Sequence, residues 1–158
     1  MEVGEVNGGK STEGEYVNKK VKEYDAQKEG KGDKWKARWI DNRKERFQPK
    51  FEELFNETSD GINISESPDS SRYTLIVKTV FLEPGFSAMS GLEDYEVPAS
   101  VNFEFAFVET ANSENIVAEL YVNRVSGNQI AGAAFDVGPF IVKSYAEAGK
   151  MLGKFIKR

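Results

Sequence analysis

The chain contains no cysteine and no histidine. Without cysteine there is neither a disulfide framework nor a thiolate metal site. Without histidine the commonest general base, the Ser-His-Asp and Cys-His arrangements, and almost all zinc sites are excluded. Any chemistry would fall to carboxylates, lysine, tyrosine or hydroxyls. Long apolar runs are also missing: no stretch reaches the roughly 18 residues of a membrane span. The start, MEVGEVNGG, has neither the basic region nor the apolar run of a signal peptide. An initiator Met placed where an export signal was removed fits that start equally well.

What is present suits one folded domain. The 158 residues include 11 Phe, 6 Tyr and 2 Trp, enough length and aromatic content for one core. The net charge of −5 is unevenly distributed: residues 16–50 hold 12 Lys/Arg against 6 Asp/Glu, residues 51–137 hold 3 against 15, and residues 138–158 hold 5 against 1. The molecule is dipolar.

Residues 1–12 read as a flexible Gly-rich lead-in, with Val3 to Val6 as an alternative small edge strand, and 13–158 as a single domain. Thr12 and Glu15 fit a capping box, and Val17, Val21 and Tyr24 recur at helical spacing, which predicts a helix over about 13–28 stopped by Gly30. Trp35, Trp39, Phe47, Phe51, Leu54 and Phe55 form a second helical stripe with Asp33 as N-cap. Pro49 predicts a kink, or a new helix starting near Gln48. Ile62 to Ser65 suggest a short strand.

Strands are expected at 72–82, with Leu75, Val77 and Phe81 on the core face, and at 100–110, with Val101, Phe103, Phe105 and Phe107 inward. After an ANSEN turn, a strand at 116–124 turns Ile116, Ala118, Leu120 and Val122 inward. A last helix aligns Ile141, Tyr145, Ala148, Leu152, Phe155 and Ile156, and Gly149 and Gly153 would let its backbone approach the sheet. The expected fold is an α+β two-layer sandwich: an antiparallel meander of three to five strands with the N-terminal helices and the C-terminal helix on one face.

In that meander the connections 84–98 and 125–138 share one end of the sheet. Both exceed the usual loop of about 4 to 6 residues. Phe86, Met89, Leu92, Tyr95, Gln129 and Phe135 are the candidate contact residues there, for a protein partner or for a small apolar ligand held under the loops as a lid. The open sheet face, with Ile76, Val80, Val108 and Tyr121, is more apolar than solvent requires.

Other patterns carry less. EGKGDKWKARW mixes basic and aromatic residues as nucleic-acid binders do, but Trp35 and Trp39 share the core stripe, which argues against a nucleic-acid partner. GKGDK lacks the glycine spacing and the Lys-Ser/Thr pair of a phosphate loop. Glu83, Glu93, Asp94 and Glu96 lack EF-hand spacing, so no metal and no cofactor are assigned. Asn56-Glu57-Thr58 and Asn63-Ile64-Ser65 match the glycosylation sequon, which matters only in a eukaryotic secretory setting. No catalytic residues stand out, and a non-enzymatic role is expected.

The runs EYVNKKV, EGKGDKWKARWI, RKERFQPKFEELFN, YTLIVKTVFLEPGF and VGPFIVKSYAEAGKMLGKFI resemble a group of small bacterial proteins that have no assigned activity and are usually made with export signals. The resemblance covers most of the chain from about residue 15 and implies a periplasmic or envelope location. More distantly, the order of elements is similar to envelope lipoprotein domains of the curli-secretion and TolB amino-terminal type, which act mainly as binding and assembly modules. Unlike them, this sequence has no lipidated Cys and no clear strand before its long helix.

Overall fold

A computed structural model of the chain describes residues 3–6, 11–65, 71–90, 93–127 and 138–157. Where the sequence suggests a flexible lead-in, β1 (Val3–Val6) and β2 (Ser11–Thr12) pair antiparallel. β1 is not an edge: it runs parallel to β3 (Tyr73–Glu83), with Val6 opposite Leu82.

Helix α1 (Glu13–Asp25) starts at the expected capping box. The Thr12 hydroxyl accepts from the Glu15 amide, and the Glu15 carboxylate accepts from the Thr12 amide at 2.9 Å. Those hydrogen bonds to Thr12, backbone first, hold the Glu15 carboxyl below its ordinary pKa. The next helix, α2 (Lys31–Asn42), is capped by Gly30 in the left-handed region (φ 73°), not by Asp33, which lies in its first turn. The orphan amide of Gly32 is satisfied from the preceding helix, by Asp25 Oδ1 at 2.8 Å.

Pro49 lies in the first turn of α3 (Gln48–Thr58), which follows the preceding helix without a break, Phe47 before it being helical (φ −71°, ψ −52°). One π-helical turn, Arg43–Phe47, joins α2 to α3. That turn has a geometric consequence. Trp39 and Phe47 are eight residues apart, which would leave them about 80° out of line in a regular helix. The extra residue in the wide turn cancels most of that drift, and Trp39, Phe47, Phe51 and Phe55 all reach the core.

Residues 62–65 are not a strand. The Asn56 carboxamide takes the place of a strand partner: its Nδ2 donates to the Ile64 carbonyl at 3.1 Å, and its Oδ1 accepts from the Ile64 amide at 2.7 Å. Both ends of the amide are used, so this sequon asparagine has a structural role.

The main sheet has the order β2-β1-β3-β6-β7, where β6 is Ser100–Glu109 and β7 is Asn112–Ser126. The meander β3-β6-β7 is antiparallel. Two irregularities correct the expected core faces. β3 slips between Thr79 and Phe81, so Leu82, 1% exposed, takes the core position expected of Phe81. β7 slips between its pairs at Ala118 and Ile116, and neither is inward: Ile116 is 52% exposed and Ala118 is exposed as well. β7 is also longer than expected, because only residues 110–111 form the turn before it. Leu75, Val77, Phe107, Leu120 and Val122 pack against the core as anticipated.

The closing helix α4 (Gly138–Ile156) lies beside α3 and over the sheet. Its two glycines approach α3, not the sheet: a Cβ at Gly149 would strike the Phe51 carbonyl, and one at Gly153 would come within 2.8 Å of the Phe55 carbonyl. Tyr145 stacks on Phe47 at 4.9 Å. The pairs 145 with 47, 149 with 51 and 153 with 55 keep one offset, so α3 and α4 run parallel. The result is an α+β two-layer sandwich with a C-terminal helix.

Candidate functional site

The segment 84–98 is an extension of the sheet. β4 (Phe86–Ser90) and β5 (Glu93–Val97) pair antiparallel. Their register continues that of β3 and β6: Leu82 opposes Val101, Glu83 opposes Ser100, Phe86 opposes Val97, and Ser90 opposes Glu93. The two ladders β3–β6 and β4–β5 therefore share one register, and among the described residues they are separated where Pro84-Gly85 faces Pro98-Ala99. Proline has no amide to give to a ladder, so two prolines facing each other's strands break the pairing without shifting it.

The root of this ribbon is tightly fixed. Pro84, Gly85 and Ala99 are buried. Gly85 adopts φ 76°, and a Cβ there would come within 2.8 Å of the Ala99 amide nitrogen. Ser144 of α4, fully buried, donates to the Ala99 carbonyl at 3.3 Å and accepts from the Gly127 amide at 3.3 Å. One hydroxyl thus ties the ribbon's return strand to the exit of β7, and both lie at the same end of the sheet, where Ser100 opposes Ser126. Of the candidate contact residues, Phe86 and Met89 lie on β4 and Tyr95 on β5. Leu92, Gln129 and Phe135 lie outside the described residues.

The open face is mixed. Lys78 donates to Glu104 at 2.6 Å across it, and this hydrogen bond and charge raise the Lys78 pKa. Tyr121 is 64% exposed, whereas Val108 is buried. Among the described strands β7 is paired on one side alone, and Arg124 (φ 55°) marks a further irregularity there, where its amide donates to Asn102 Oδ1 at 2.7 Å. Regular pairing of β7 with Phe103 to Phe107 is thus confined to 118–122. Such bulges blunt an edge against stray strand addition.

Two polar clusters are structural. Glu13 accepts from Trp39 Nε1 at 2.7 Å and pairs with Arg43 of the π turn, fastening α1 to the long helix. Trp35 and Trp39 stack at 5.3 Å, with Tyr24 on Trp35 and Tyr16 tilted against Trp39. In the core the Tyr145 hydroxyl bonds to Thr79. Burial pushes the Tyr145 phenol up to about 12, while Thr79 and Arg43 pull it back. Burial also raises Tyr16, aided by Tyr24, Glu83 and Glu23. Among the described residues, no group of three or more acids could hold a metal ion, and no buried side-chain polar atom lacks a partner.

These tyrosines give a pH prediction. An unfolded tyrosine ionises near 10. The folded groups resist, so their stabilisation is whole below about pH 10 and is lost as pH rises toward the folded values, by about 1.4 kcal/mol per pH unit per tyrosine. Absorbance near 295 nm should therefore show Tyr16 and Tyr145 ionising together with loss of the circular-dichroism signal. Their ionisation near pH 10 with the fold intact would contradict this.

A groove of about 490 Å³ lies between α3, the end of β7 and α4, lined by Leu54, Ser126, Gly127, Lys143, Glu147 and Lys150. It is more polar than apolar. No described helix is long and apolar enough to cross a membrane.

Fold and site together define a two-layer α+β domain whose sheet extends into a rooted two-stranded ribbon. Comparison with protein-family models, curated proteins and solved structures finds no match.

Proposed function

We propose that this chain is a non-enzymatic binding or assembly domain of the bacterial cell envelope, and that it meets a protein partner through the ribbon carrying Phe86, Met89 and Tyr95, with Leu92 between its strands in sequence. Gln129 and Phe135 extend the same contact region in sequence. The observation that carries this reading is the continuous register from β3–β6 into β4–β5 above a buried root. Five residues per strand extend the ribbon by about 17 Å. Among the described strands none pairs with β4 or β5 except each other. A two-stranded ribbon is marginal alone in water and gains from a third strand or a covering surface, which is the logic of strand-addition partners. A carrier of a small apolar ligand is less well supported, because the groove beside α4 is lined by Lys143, Glu147 and Lys150.

The test is a pull-down from an envelope fraction with the whole chain and with a variant in which 87–96 becomes a short Gly/Ser turn, keeping Gly85 and Pro98. Both should give the same circular-dichroism spectrum. Capture of a defined partner by the whole chain and its loss in the variant is expected. Equal capture by both would remove the ribbon from the contact.

A further inference from the structure

The outer side of α4 carries a surface distant in character from the ribbon. Tyr145, Ala148 and Leu152 face the core, and Gly149 and Gly153 face α3. Away from the core, Lys154 and, just past the helix end, Lys157 are exposed, and half-buried Lys143, Glu147 and Lys150 line the groove toward α3 and the end of β7. Between the lysines and the buried side stand Met151 and Phe155, 43% and 57% exposed. Their i, i+4 spacing puts them on one stripe, and Lys154 lies one turn from Met151. Lys150 and Lys157 make ion pairs with Glu147 at 3.7 Å and Asp60 at 3.3 Å. Both pairs are solvent-exposed, the kind that contributes little and exchanges readily.

We infer that the C-terminal half of α4 docks on an anionic lipid surface, with Met151 and Phe155 entering the headgroup boundary and Lys150, Lys154 and Lys157 meeting anionic headgroups. Two observations favour this occupant. Large apolar side chains bordering a lysine row on one helix are the combination that binds interfaces: apolar burial and headgroup attraction act together. The charge of the whole molecule agrees with that orientation. The strand region 73–126 holds 8 Asp/Glu against 2 Lys/Arg, while the helical segments 13–58 and 138–157 together hold 16 Lys/Arg against 12 Asp/Glu, with the excess in α2, the π turn and α4. Helices and sheet form separate layers, so a negative surface attracts the helix layer and turns the acidic sheet away. The ribbon, rooted at one end of the sheet, is left free for a partner.

The experiment is co-sedimentation of the whole chain with vesicles of phosphatidylcholine alone and of phosphatidylcholine with phosphatidylglycerol. Binding to the anionic vesicles only, weakened at high salt, is expected. Each lysine contributes about a fivefold change in partition, so the triple variant Lys150→Gln, Lys154→Gln, Lys157→Gln should lose on the order of a hundredfold. Met151→Ser with Phe155→Ser should also release the protein while its circular dichroism is unchanged. The ribbon-shortened variant should bind vesicles like the parent, so this inference and the partner proposal fail separately. No sedimentation with anionic vesicles, equal binding to neutral ones, or undiminished binding of the triple variant would overturn it.

Discussion

Replacing Gly149 by valine is expected to lower the unfolding free energy by about 3 kcal/mol or more, the upper end for overpacking a tight core. The cause is the parallel contact of α4 with α3. The missing side chain at Gly149 is what lets α4 lie against the Phe51 carbonyl. A valine there collides with backbone, which cannot rotate aside as a side chain can. To make room α3 must move, and α3 carries Phe51, whose ring packs on Phe105 at 5.8 Å, and Phe55, almost fully buried. The disturbance therefore reaches the sheet. Gly14 is the control: a Cβ there meets nothing within 4 Å, so Gly14→Ala should leave stability unchanged or slightly raised, alanine being the better helix former. The comparison is read from urea midpoints at constant m-value. A Gly149→Val protein as stable as its parent would mean that the two helices are not in this contact.

Tyr145 gives the second large effect, and it separates into two parts. Its ring lies face to face with Phe47 and edge-on to Phe103, each at 4.9 Å. Tyr145→Ala should cost about 3–5 kcal/mol, as for other large aromatic truncations in a core. Tyr145→Phe keeps the packing and removes only the hydroxyl. The partner, Thr79, is 2% exposed, so its oxygen would be left without water or protein partner, a loss of about 1–3 kcal/mol. Adding Thr79→Val removes the stranded hydroxyl as well, and the double variant should recover most of that loss. Additive costs for Tyr145→Phe and Thr79→Val would show that the two hydroxyls do not depend on each other.

These two sites show where reading the sequence stops. Tyr145 is legible as a core residue, because it sits on the apolar stripe of α4. Its dependence on Thr79 is not: a threonine 66 positions away in the chain carries no mark of its partner. Gly149 and Gly153 are legible as places of close approach, but the element approached is α3, and only the stacking of helices on the sheet decides that. Phe81 and Leu82 are both apolar and adjacent, and the slip in β3 alone selects Leu82 for the core. The long 84–98 connection has a readable signal in hindsight. Pro84 and Pro98 each directly follow a strand, Pro84 after Glu83 and Pro98 after Val97, which marks a break in a ladder and not a loop. Ser144 and Asn56 carry no such signal, being ordinary polar residues until the backbones they clamp are brought to them.

The sequence by itself determined the capping box at Thr12 and Glu15, the irregularity in the helix near Pro49, the alternation of β6, the amphipathic stripe of α4 and the segregation of charge. Each depends on residues within one or two turns or a few strand positions, where steric and hydrogen-bonding preferences act locally. The parallel pairing of β1 with β3, the slips in β3 and β7, the wide turn that realigns Trp39 with Phe47, the rooting of the ribbon and the helix contact at Gly149 were decided by tertiary structure. All of these balance packing and pairing between segments far apart in the chain, and that balance exists only once a partner surface is in place.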